Sequence, residues 1–208
     1  MTHQEEIVPG TVLEFFESKD IVCGVCIAVK SQRLTVLTEQ NRETNMARSR
    51  LIHFGTTLNT KLGRDDLVRK LTEISALRRS LMEEVNLEEL WTLLEGESEG
   101  YEARDLSGFI FSESLSEHHV AAVQRTLLQD RLFFQYKDSL FHPRPAEKVE
   151  QRRLEMAREE EREAQLEQGS QWLKAAWTKK GKMPLLQYQD KVIDALNSFC
   201  LFGQDSNE

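Results

Sequence analysis

The hydrophobic period of this chain changes once, and that change limits the folds open to it. Between Gly10 and Phe54 the β-branched and aromatic residues fall in short runs: Thr11–Phe16, Ile21–Lys30, Arg33–Thr38, then Glu43–Ala47 and Arg50–Phe54. Polar links separate them at Ser18-Lys19-Asp20, Ser31-Gln32 and Glu39 through Arg42. Short strands joined by tight turns predict a small β-barrel, SH3-like or OB-like, over residues 8–55. From Asp65 the repeat lengthens to about 3.6 residues. Leu67, Leu71, Ile74, Leu77 and Leu81 recur every third or fourth position, as one face of a helix requires. The fold class is therefore α+β.

Residues 56–63 are polar and read as a linker, so residues 56–85 are expected to be a linker and connecting helix. Asn86 stands three residues before Glu89, a capping-box spacing that opens a helix over Leu87–Leu94. Gly96 through Gly100 breaks it. A helix over Ala103–Phe111 follows, then one over Glu117–Asp130 with Ser116 as its N-cap. Leu132–Tyr136, the turn Lys137-Asp138-Ser139 and Leu140–His142 read as strand, turn and strand. Three short helices and a hairpin are the order of a winged-helix domain, here residues 86–143.

Pro145 suits the first turn of a long charged helix over residues 144–178, which if unbroken would span about 50 Å. No heptad persists along it, and Gly169 weakens its continuity. Residues 179–203 read as a basic loop, Lys179–Met183, and a last helix opened by Pro184; residues 204–208 are a polar tail.

The 208 residues carry 27 Lys and Arg against 35 Asp and Glu, a net charge of −8. Such a balance disfavours bulk nucleic-acid binding by charge alone but not a local basic face. The excess acid is concentrated: residues 61–143 hold 10 basic and 16 acidic side chains, whereas residues 1–60 hold 6 and 7. No apolar run approaches a membrane span, and the N-terminus lacks the basic-then-apolar layout of a signal peptide. The three cysteines read as reduced thiols, so a cytoplasmic location and no membrane contact are expected.

Few residues carry recognisable chemistry. Cys23 and Cys26 form a lone CxxC, but positions three apart on a strand face opposite ways, so buried thiols are expected and no metal. His118-His119 lacks the helical spacing of a zinc pair. Asp65-Asp66 opens a helix, where carboxylates favour the dipole without being catalytic. The informative side chains are basic: Lys30, Arg33, Arg42, Arg48 and Arg50 in the barrel, then Arg125, Arg131, Lys137 and Arg144 around the winged helix. They are the candidate RNA contacts. Phe15, Phe16, Phe133, Phe134 and Tyr136 are candidates for base stacking, with burial in the core as the ordinary alternative.

Several stretches, in order, resemble a known family. Gly10-Thr11-Val12-Leu13-Glu14-Phe15-Phe16 with Ile21-Val22-Cys23-Gly24-Val25 is similar to its barrel opening. Leu37-Thr38-Glu39-Gln40-Asn41-Arg42-Glu43 is similar to its third turn, and Asp130-Arg131-Leu132-Phe133-Phe134 with Lys137-Asp138 to its wing. Phe141-His142-Pro143-Arg144-Pro145 through Gln151 resembles its wing-to-helix join. The family is ribonuclease II (RNB), and the resemblance is to the N-terminal region of its bacterial and organellar exoribonucleases. It implies 3′-to-5′ degradation of single-stranded RNA by a magnesium-dependent catalytic domain bearing a DxxDxDD-like motif. This sequence contains no such motif, so no catalytic residue carries over and magnesium is expected only for that further domain. The expectation is an accessory RNA-guiding module; a protein-interaction scaffold, built on the winged helix and long helix with a protein partner, is the alternative.

Overall fold

The computed structural model describes residues 6–18, 20–31, 33–111, 115–178 and 189–203. The 179–183 loop, the Pro184 start of the last helix and the 204–208 tail thus lie largely or wholly outside the described residues. The chain forms two compact units, the first ending at Ala146 and the second beginning at Glu147.

Five antiparallel strands open the first unit: β1 (Thr11–Glu17), β2 (Asp20–Lys30), β3 (Arg33–Thr38), β4 (Glu43–Ala47) and β5 (Leu51–Thr57). Their order in the sheet is β4-β3-β2-β1-β5, so the last strand returns to the first. Ser18, Ser31 and Asn41 take positive φ at the turns, where short polar side chains tolerate the left-handed region. Both faces of the sheet are covered. Leu13, Phe15, Val22, Cys26, Leu34, Val36 and Met46 pack into one cluster, and Val12, Cys23, Val25 and Leu37 into another with Leu71 and Ile74. That division explains the unbroken apolar runs, since a strand covered on both faces has no polar side to alternate. It also places Cys23 and Cys26 in separate clusters, as strand alternation requires. Leu58 packs on the second cluster and β5 runs to Thr57, so the predicted linker begins two residues later than its polarity indicated.

Helix α1 (Arg64–Glu83) carries Leu71, Ile74 and Leu81 on its buried face, together with Ser75 and Arg78. Leu77, expected on that stripe, is exposed. After α1 come α2 (Leu87–Leu93), α3 (Ala103–Ile110), α4 (Glu117–Gln129) and the hairpin β6 (Phe134–Lys137) and β7 (Leu140–Pro143). Asn86 accepts the Glu88 and Glu89 N–H groups to start α2. Tyr101 adds a bridge to Phe141, making β7 the middle of a small three-stranded wing. Asp138 and Ser139 both take positive φ between the paired residues Lys137 and Leu140, the backbone of a tight two-residue hairpin turn. The Asp130 carboxylate accepts the N–H groups of Leu132, Phe133 and Phe134 at 2.9, 2.8 and 2.6 Å, fixing the entry to the wing. Trp91 closes the other side, its ring 5.6 Å from Phe133 and its Nε1–H donated to the Arg144 carbonyl.

The second unit holds α5 (Ala146–Thr178), which crosses Gly169 without a break, and α6 (Gln189–Phe202). A side chain at Gly169 would lie 3.1 Å from Val192, so glycine there permits close approach of α5 and α6 rather than ending α5.

Candidate nucleic-acid interface

The basic residues singled out from the sequence fall into three groups. Lys30 and Arg33 face each other across the β2–β3 turn as direct cross-strand partners. Arg33 is flanked on its other side by Ala47, whose neighbour Arg48 opens a short 3-10 turn. These three side chains lie at one end of the sheet and are exposed. Among the described residues none of them has a carboxylate within ion-pair distance. Like charges placed directly opposite on neighbouring strands repel, so the native fold bears an electrostatic cost here that a bound anion would relieve.

The wing supplies the second group. Lys137, at its tip, is exposed and stands 3.9 Å from Asp138, a loose pair in water. Arg131 is exposed just before the wing.

The third group is committed to the fold. Arg42 is 2.6 Å from the Glu17 carboxylate and also donates to Gln40. Arg50 donates to the Phe16 carbonyl. Arg144 donates through Nε to the Phe134 carbonyl at 3.2 Å, tying β7 back onto β6. Arg125 departs furthest from expectation. It is buried, donates through Nε to Glu14 Oε2 at 2.8 Å, and holds Nη2 2.8 Å from Oε1, near but not aligned as a hydrogen bond. It is therefore not a surface contact for RNA.

Glu14 is the centre of a buried ion triad. Arg78 Nη1 donates to its Oε1, and neither side chain is exposed to solvent. Arg78 comes from α1, Arg125 from α4 and Glu14 from β1, so three elements share one carboxylate. Arg78 Nε also points at His118 Nδ1, 3.4 Å away. Two guanidinium groups on one carboxylate leave buried positive charge in excess. Nearby His53 responds accordingly: burial, then the Arg78 charge, lowers its pKa to about 4. Burial likewise pushes the Cys23 thiol up to about 12, so it is an inert packing group.

The triad has a consequence for helix α4. In a helix-turn-helix the second helix, directly before the wing, normally lies in the major groove. Here α4 packs on α1 and β5, and of its residues only Gln129 is exposed. Gln124 on α4 donates to the Ile52 carbonyl at the sheet edge. Gly55 meets α4 so closely that a side chain there would lie 2.9 Å from Glu117 Cβ. Much of this helix is thus taken up by packing within the fold.

A cleft of about 820 Å³ lies between β5, the start of α4 and the wing turn. Its charged walls are mainly acidic, with Glu102, Glu117 and Asp138 against Arg104, which does not suit a phosphate backbone. Of the aromatic stacking candidates, Phe15, Phe133 and Phe134 are core residues, whereas Phe16 and Tyr136 are exposed. Among the described residues no group of three or more His, Cys, Asp or Glu side chains converges as a metal site.

The fold thus defines a β-sheet module joined to a winged helix. The family model for the ribonuclease II winged helix domain matches residues 74–148. An uncharacterized ribonuclease from a Synechocystis strain is 28% identical over 150 residues, covering 69% of this chain. The chain spans 21% of that protein's length. No solved structure matches. No helix among the described residues is long and apolar enough to cross a membrane.

Proposed function

We propose that this chain is an accessory, RNA-guiding module of a cytoplasmic ribonuclease II-like 3′-to-5′ exoribonuclease, non-catalytic by itself, in which the sheet is a small SH3-like barrel. The observation that carries the reading is the exposed, mutually repelling Lys30–Arg33 pair with Arg48 beside it, on a chain whose residues 74–148 match the ribonuclease II winged-helix model. Single-stranded RNA neutralises that end of the sheet, with Lys137 and Arg131 as secondary contacts. Magnesium and the catalytic aspartates belong to a further domain.

Fluorescence anisotropy with a labelled single-stranded oligoribonucleotide tests this. Lys30→Glu, Arg33→Glu and Arg48→Glu together should lower affinity at least about tenfold and flatten the salt dependence by about 2 in log–log slope. Unchanged affinity in the triple variant defeats the proposal. Shortening of the RNA by pure protein with magnesium would overturn its non-catalytic part. The second reading, a protein-interaction scaffold, is favoured by one observation: α4, the usual nucleic-acid helix, is covered.

A further inference from the structure

We infer that the groove between α2 and α3 docks a basic, amphipathic segment of a protein partner. The groove has a volume of about 360 Å³. Its floor is Leu90, and Leu93, Phe109 and Ile110 stand along it. Leu93 is 63% exposed and Phe109 50%, in a domain whose other large apolar groups are mostly covered. Single exposed apolar residues are ordinary; several converging on one concave strip are what a partner's apolar anchor fills. Phe109 is held from behind by an edge-on contact with Tyr101, ring centres 6.4 Å apart, so its ring is presented rather than free to collapse.

The rim identifies the partner's charge. Glu84 and Glu89 line the groove, and no basic side chain does. Glu97 and Glu99 lie close enough to Tyr101 that, after burial, their charges raise its hydroxyl pKa. Residues 83–105 contain nine acidic side chains and one basic one, a local charge of −8 that equals the net charge of the whole protein. Such a field repels a phosphate backbone and attracts Lys and Arg, steering a basic chain toward the apolar strip. An amphipathic helix lays its apolar anchors into a groove of this kind.

The test uses the full chain and a fluorescein-labelled amphipathic peptide of leucine and lysine as the probe. A lysine peptide without leucine and an amphipathic leucine–glutamate peptide are the comparisons. The leucine–lysine peptide should bind, and the other two should bind at least about tenfold more weakly. Leu93→Ser with Phe109→Ser, both solvent-exposed and so tolerable to the fold, should weaken the probe by about tenfold or more. Glu84→Lys with Glu89→Lys should do the same, whereas the Lys30/Arg33/Arg48 charge reversal should leave it unchanged. The inference is overturned if the groove variants bind as the parent does, if the leucine-free peptide binds equally well, or if the parent does not bind the probe at all.

Discussion

Glu14 lies in the apolar run Val12-Leu13-Glu14-Phe15 and is fully buried, where an unpaired carboxylate would cost several kcal/mol. Arg78 and Arg125 supply its counter-charge and in turn depend on it. Glu14→Gln should therefore cost about 3–5 kcal/mol in urea unfolding, because two buried guanidinium groups lose their carboxylate. Replacing all three by apolar residues of similar volume should cost less than that single change; a larger loss would show that the triad is net stabilising. His53 gives a pH signature. Its folded pKa of about 4 lies below the ordinary 6.5, so the unfolded chain takes up the proton first as pH falls. The His53 contribution should be level well above pH 6.5 and decline by about 3 kcal/mol down to pH 4, with His118 acting in the same direction. Urea midpoints across that window should lose most of this slope in His53→Gln, and an unaltered slope would exonerate His53. The sequence held a trace of the triad. Arg78 continues the 71-74-78-81 spacing of the α1 stripe, a core position by periodicity, and Glu14 interrupts a core strand. What spacing cannot show is that residues 64 and 111 positions from Glu14 meet it in space.

The elements followed their local signals closely. The first four strands and the Asn86 cap formed within a residue of where period and turn chemistry placed them, whereas β5 runs on to Thr57 and β6 covers Phe134–Lys137 rather than Leu132–Tyr136. The use made of α4 was not legible. Its apolar residues Val120, Val123 and Leu127 predicted one buried face, but Ala121, Ala122 and Arg125 are buried too, because α1 and β5 cover the side a free winged helix would expose. Helix periodicity reports that a face is apolar, not how many neighbours a helix acquires. The wing is anchored by Asp130, which explains the stretch Asp130-Arg131-Leu132-Phe133-Phe134 in backbone terms. Asp130→Ala should strip three N–H groups of their acceptor and cost about 1.5–3 kcal/mol. In circular dichroism the overall helical signal should persist while thermal unfolding moves to lower temperature; an unchanged midpoint would show that water replaces the carboxylate without loss.

Up to Ala146 the chain is one compact unit, so sheet and winged helix are expected to open together. Native-state hydrogen exchange tests this: the slowest amides of β2 and of α4 should share one opening free energy, and Glu14→Gln should lower both equally. Separate values would mean that the triad joins two independently stable parts. Charge read by region anticipated where the acid lies but not that the exposed basic side chains would gather at the β2–β3 turn, which depends on strand register. The shared carboxylate also bears on how this unit could hold two ligands at once. Contacts through Glu14 tie sheet and winged helix together within one compact unit, and if they open together the basic end of the sheet and the acidic groove keep a constant separation. Ligands held at both would meet at an effective concentration set by the fold, and avidity rather than conformational signalling would couple them.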